Sequence, residues 1–271
     1  GTEVRRNWSS YMVGTVGVGQ DNDFDNHDLN GTFGFITQLD DGLAIGGGII
    51  GSSGTTELLH GGESSLDAKG LSVIAAYEHE TGIRLYGTAF AVNLDLETHR
   101  RYRNGAGFDT SIGNTDGLGY GAALRLGYQA ATMGNISLMP YGELQVTHTS
   151  YDAYTETGGA FPASIEEQSV TQTISKLGLE ASTIVMPNLT LGGRLAWAHR
   201  LSDNNDGTQV STTGFSGTVS GSEGDTDWAE GAISTAWQIT PSTSLNAELS
   251  GRSGQTQEPL AQLSLGLKVD F

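Results

Sequence analysis

The chain has 271 residues, with 40 glycines, 5 prolines, no cysteine and a formal net charge of −18. Lack of cysteine excludes a disulfide scaffold and a thiolate metal site, and so acidic a chain is a poor partner for nucleic acid. No run of about 18 apolar residues is present, so no helix is expected to cross a membrane, and "GTEVRRNWSS" lacks the apolar core of a signal peptide.

From Trp8 onward the sequence alternates apolar and polar residues in segment after segment, the period of a strand with two unlike faces. The predicted strands are 8–19, 29–39, 43–51, 69–80, 83–97 and 117–130, then 135–149, 169–185, 188–201, 227–239, 244–252 and 260–271. Short ambiguous apolar stretches aside, no segment holds a helical period. Most of the twelve are long enough to cross a bilayer at a tilt, which takes about 9–11 residues.

The connections carry more information than the strands. Five are tight: "DDG" (40–42), "TG" (81–82), "ATMG" (131–134), "MP" (186–187) and "TPST" (240–243). Between them lie the longer polar stretches 20–28, 52–68, 98–116, 150–168, 202–226 and 253–259. Short and long alternate without exception. A soluble sandwich has no reason to sort its loops by parity, whereas a transmembrane barrel has short turns on the periplasmic side and long loops outside. The expected fold is therefore all-β: one twelve-stranded antiparallel transmembrane barrel over 1–271, with both termini periplasmic.

Face by face, "NLTLGGRLAWAHRL" sets Leu189, Leu191, Leu195 and Trp197 against Thr190, Gly192, Arg194 and Arg200. A strand that is apolar on one face fits a soluble core or a lipid-facing wall equally well, and the loop parity decides for the wall. The polar face then lines a wet lumen. Its predicted members are Arg125, Glu143, Lys176, Glu180, Arg194, Arg200, Glu230, Glu248 and Arg252. They serve either as a conduit surface or as a salt-bridge ladder that fills a narrow barrel, and the two roles are compatible. Trp8, Tyr128, Trp197, Trp228 and Trp237 are expected in the aromatic girdles at the membrane surfaces. The last strand, "LSLGLKVDF", ends on an aromatic carboxylate, as a strand would that pairs with the first and stops at the headgroups.

Taken together, the twelve-strand count, the opening "W…Y…GTVGVGQD", the "GTFGF" of the second strand and the ending "LSLGLKVDF" resemble the C-terminal translocator (β) domain of monomeric autotransporters, type V secretion proteins of Gram-negative outer membranes. The resemblance implies a narrow hydrophilic pore through which an N-terminal passenger reaches the cell surface, driven by passenger folding and not by ATP. It also implies a linker helix left in the lumen. No such helix is read before Asn7, which implies a fragment cut after the linker. The terminal strand resembles the signal recognised by the barrel assembly machinery, with Leu265, Leu267, Val269 and Phe271 as its outward face. The implied partners are outer-membrane lipid and lipopolysaccharide, the chain's own passenger and linker, and that machinery; the barrel is expected to be monomeric.

Other motifs carry less. "DNDFDNHD" (21–28) has carboxylates but neither the glycine nor the distal Glu of an EF-hand register, and reads as a solvated acidic loop. The six histidines, His27, His60, His79, His99, His148 and His199, are scattered with no i, i+4 pair, so no metal site and no cofactor is expected. No nucleophile elbow is present. "GVGQDND" and "GGGIIGSSG" lack the following helix that a phosphate cradle requires. Glycines 14, 17, 19, 46–48, 192 and 193 lie on strands, where they allow curvature or close approach of a ring or helix. Export of a passenger is the leading function, without bond chemistry. A stand-alone pore or adhesin, or an outer-membrane hydrolase, are the alternatives.

Overall fold

A computed structural model describes residues 8–21, 24–40, 42–205, 207–219, 225–254 and 261–271. Twelve long strands form the wall: β1 (Trp8–Asp21), β2 (Phe24–Asp40), β3 (Leu43–Leu58), β4 (Gly62–Glu78), β5 (Ile83–Asn104) and β6 (Gly107–Tyr128). They continue as β7 (Ile136–Tyr151), β8 (Gln168–Met186), β9 (Leu189–Asn205), β10 (Asp227–Thr240), β11 (Thr243–Ser253) and β12 (Ala261–Asp270). Each pairs antiparallel with its neighbour in sequence. The sheet then closes on itself, with β1 against β12 in a register from Ser9↔Asp270 to Val18↔Ala261. Closure removes the edge from the wall, so its backbone groups pair with neighbouring strands and not with water.

The exposed surface is inverted relative to a soluble protein. Leu195 is 71% exposed, Ile233 65%, Leu71 64% and Leu177 62%, while large buried hydrophobic residues are few. Apolar exposure on strands all round the wall is a lipid-facing band, far beyond a patch that a soluble monomer tolerates. Leu195 faces out between its register partners Leu179 and Gly231. Leu195→Arg is therefore expected to cost about 2–4 kcal/mol if it sits near the midplane. Urea titration of the barrel refolded in lipid vesicles measures this; an effect under about 0.5 kcal/mol would place Leu195 at the interface instead.

On the side away from the tight turns, the wall departs from the expected boundaries. Stretches 52–68 and 98–116 are not loops but continuations of the ladder, turned by Leu59–Gly61 and by residues 105–106. His60 (φ 62°) and Gly105 (φ 59°) supply the left-handed backbone these turns need. Once the strands leave the lipid both faces are wet, so apolar alternation fades while backbone pairing continues. Residues 24–28 likewise belong to β2, whereas 22–23 of the acidic stretch lie outside the described residues, as do 1–7 before the first strand.

Beyond the rim, loops 152–167 and 206–226 contribute a second, four-stranded sheet made of Tyr154–Thr155, Ser164–Ile165, Thr208–Thr212 and Phe215–Val219. It is tied to the β5–β6 hairpin by Arg100. The guanidinium donates to Glu156 through Nε at 2.8 Å and Nη2 at 2.5 Å, and Nη2 also donates to the Phe161 carbonyl at 2.8 Å. The hydrogen bond to Glu156 holds the Arg100 pKa above its ordinary value. Tyr102 completes the tie by accepting from the Phe161 backbone N–H at 2.9 Å.

Candidate functional site

The lumen is assembled by the same period of two that builds the outer wall. On β9, Leu195 and Trp197 point out, while Arg194, Ala196, Ala198 and Arg200 point in. The structure places all nine predicted pore-lining residues on the inner face, and six of them form one continuous network. Arg125 and Glu143 are direct cross-strand partners, joined at 2.6 Å. Glu143 reaches Lys176 at 3.8 Å, Lys176 reaches Glu230 at 2.9 Å, and Glu230 meets Arg252 at 3.4 Å. Glu180 joins from the side, 3.9 Å from Arg125. Arg194 and Glu248 make a separate pair at 2.9 Å. Arg200 instead pairs with Asp203 at 2.7 Å.

Three of these bridges skip a strand, Arg125–Glu180 among them, and for the two shorter ones the intervening residues explain how. Lys176 on β8 reaches Glu230 on β10 across Ala196 and Ala198 of β9, its register neighbours and theirs. Arg194 on β9 reaches Glu248 on β11 across Ala232 and Ser234 of β10. Small side chains on the middle strand leave the room. A similar accommodation sits at Gly178, where a Cβ would clash with the ring and hydroxyl of Tyr141. Gly48, from the glycine run 46–48, is crowded by backbone, not by a ring: a Cβ there would meet the Phe33 carbonyl oxygen at 2.5 Å.

One predicted girdle residue is elsewhere. Trp8, Tyr128, Trp197 and Trp237 are exposed on the outer face, but Trp228 is only 4% exposed and points into the lumen. Its Nε1 donates to Glu230 at 2.9 Å, and its ring packs with Ile174 and Ala198 and lies beneath the Arg200 guanidinium. The signal was present: Trp228 and Glu230 are two residues apart and must share a face.

Sequence reasoning also missed an apolar sector of the lumen. On β3–β5 the inner face is apolar, with Ala68, Val92 and Leu94 buried together and Ile50, Leu66, Phe90 and Tyr151 packed around them. In "AFAVNLDLE" both faces carry apolar residues, so hydropathy alone gives no direction. The lumen is thus two-sided, with charges on β6–β11 opposite an apolar arc. Between Tyr86, Arg125, Met139, Glu180, Arg194 and Glu248 a polar cavity of about 260 Å³ remains. Among the described residues, no cluster of three metal-ligating side chains occurs. Leu265, Leu267 and Phe271 lie exposed on the outer face of β12, with Val269 half-buried beside them.

A closed antiparallel barrel of twelve strands, with a lipid-facing apolar band and a charged lumen, defines an outer-membrane transmembrane β-barrel. Residues 7–250 match the family described as Autotransporter beta-domain. The chain belongs to that family, which is located in the bacterial outer membrane and enables export of an N-terminal passenger to the cell surface. Its fold is shared by the translocator domain of the autotransporter NalP from Neisseria meningitidis (TM-score 0.79, 13% identity, covering 98% of this chain and 88% of that one). The beta domain of the Bordetella autotransporter BrkA superposes with TM-score 0.75 at 16% identity, covering 98% of this chain and 100% of that one. The toluene transporter TodX of Pseudomonas putida is also similar (TM-score 0.54, 13% identity, 98% and 88% coverage). No curated protein matches the chain.

Proposed function

We propose that the two-sided lumen is the working surface of export, and that the barrel does no bond chemistry. The network from Arg125 to Arg252 carries this reading. A passing or resting polypeptide has backbone amides and carbonyls that need partners when they leave water. Guanidinium and carboxylate groups along β6–β11 supply donors and acceptors of both kinds, while the apolar arc of β3–β5 accepts side chains without binding them tightly. The upstream linker would lie against the charged wall, and the passenger would emerge on the side of the long hairpins. The assembly machinery would engage the outward face of β12.

Single-channel recording in planar bilayers tests the proposal. Replacing Arg125 and Arg194 together by Gln removes two cations from a wall that retains Glu143, Glu180, Glu230 and Glu248. The reversal potential is expected to move toward cation preference, and an added upstream segment, which should close the unmodified pore, is expected to block less well. An unchanged reversal potential in a folded variant would show that ions do not pass along this wall. Unchanged conductance with the upstream segment present would favour a stand-alone pore.

A further inference from the structure

Of the 13 Lys and Arg residues in the chain, most of those described are matched by a carboxylate: Arg84, Arg100, Arg125, Lys176, Arg194, Arg200, Arg252 and Lys268. Among the described residues Lys69, Arg101 and Arg103 form no ion pair. Two of these three stand side by side at the tip of the longest hairpin. Arg101 and Arg103 lie on one face of β5, opposite to Arg100 and Tyr102, which hold the extracellular sheet. Their guanidinium carbons sit 4.8 and 5.7 Å from the centre of the Phe108 ring, and the His60 ring lies 5.7 Å from the same centre. On this face Glu97 is engaged by His99 at 2.6 Å and Glu63 accepts from Ser65 at 3.2 Å. On a chain of net charge −18, two exposed guanidiniums that form no ion pair and are steadied by one aromatic ring form a site for an anion.

Direction and height identify the anion. Residues of odd number on β5 face away from the lumen, as the exposed Ile83 and Leu85 do. Along this face the apolar run ends at Ala91, and Asn93, Asp95 and Glu97 follow. Arg101 lies eight residues beyond Asn93; at about 3.3 Å per residue and a tilt of about 40° this places it roughly 20 Å above the hydrocarbon edge. The headgroup layer is only about 5–8 Å deep on each side. The guanidiniums therefore stand in the saccharide layer of the surrounding outer leaflet, facing outward into it. We propose that Arg101 and Arg103, with Phe108 and His60, bind the phosphate and carboxylate groups of the inner-core sugars of lipopolysaccharide. The contact would hold the long hairpin upright at the barrel rim, and it does not depend on passenger export.

The test uses the whole barrel, folded in detergent, and its Arg101→Gln/Arg103→Gln variant. Affinity is measured for lipopolysaccharide with its inner-core phosphates and for the same material with those core phosphates removed. The unmodified barrel is expected to prefer the phosphorylated form by about tenfold, as two charge-assisted contacts would give, and the double variant to show a ratio near one. Lys69→Gln, at the hydrocarbon edge, is expected to leave the ratio unchanged. Heat-modifiable gel mobility verifies that each variant is folded. A ratio near one for the unmodified barrel, or one that survives the double substitution, overturns the proposal. Heparin binding that is lost in the double variant, without any discrimination between the two lipopolysaccharides, also overturns it and assigns the patch to a soluble glycan.

Discussion

Lys176→Met is expected to destabilise the barrel by about 3–5 kcal/mol, the cost of breaking a buried ion pair and leaving its partners uncompensated. The Lys176 side chain is 11% exposed, and the two carboxylates it serves are hardly more open: 10% for Glu143 and 15% for Glu230. Glu143 keeps Arg125 at 2.6 Å, so the larger part of the loss falls on Glu230. That residue would retain only the Trp228 indole at 2.9 Å and Arg252 at 3.4 Å. Adding Glu230→Gln to Lys176→Met removes the stranded charge and is expected to recover part of the stability. Equilibrium unfolding in urea, followed by tryptophan fluorescence in lipid vesicles, measures both variants. A loss below about 1 kcal/mol for Lys176→Met would mean that lumen water screens the network as it screens a surface pair.

Deleting Phe271 is expected to lower folded barrel in cells several-fold while changing refolding in detergent by less than about 1 kcal/mol. The side chain is 70% exposed, so it contributes little to packing within the chain. Its backbone N–H donates to the Trp8 carbonyl at 3.0 Å, the last rung of the seam between β1 and β12. The neighbouring Asp270 accepts from Ser9 at 2.5 Å and keeps the seam closed without Phe271. A selective loss in cells would therefore report recognition of the exposed ring during assembly. Folded yield by heat-modifiable mobility, in cells and after refolding, makes the comparison. Equal losses in both settings would reduce Phe271 to an ordinary stability residue.

Strands, their number and the sidedness of the turns were legible in the sequence because each is a local property. Period-two alternation needs only neighbours along the chain, and loop length is read by counting. The long hairpins were shortened in that reading for an equally local reason: "SSGTTEL" and "GESSLDA" lose their apolar face above the lipid, although their backbones stay paired.

What tertiary structure alone decided is the direction of the apolar sector and of Trp228, and the partnership of the charges. Alternation defines two faces without saying which is inside, so "AFAVNLDLE" gave no hint that Val92 and Leu94 bury against Ala68 in the lumen. Trp228 was misplaced because an aromatic was read by type rather than by its register with Glu230. The ion pairs were beyond sequence reasoning altogether. Lys176 and Glu230 are 54 positions apart, and they meet because closure sets the stagger between strands and because Ala196 and Ala198, small residues on the strand between, let the lysine cross. The residues of the lumen were written in the sequence, but the stagger of a closed wall determined which charge would face which.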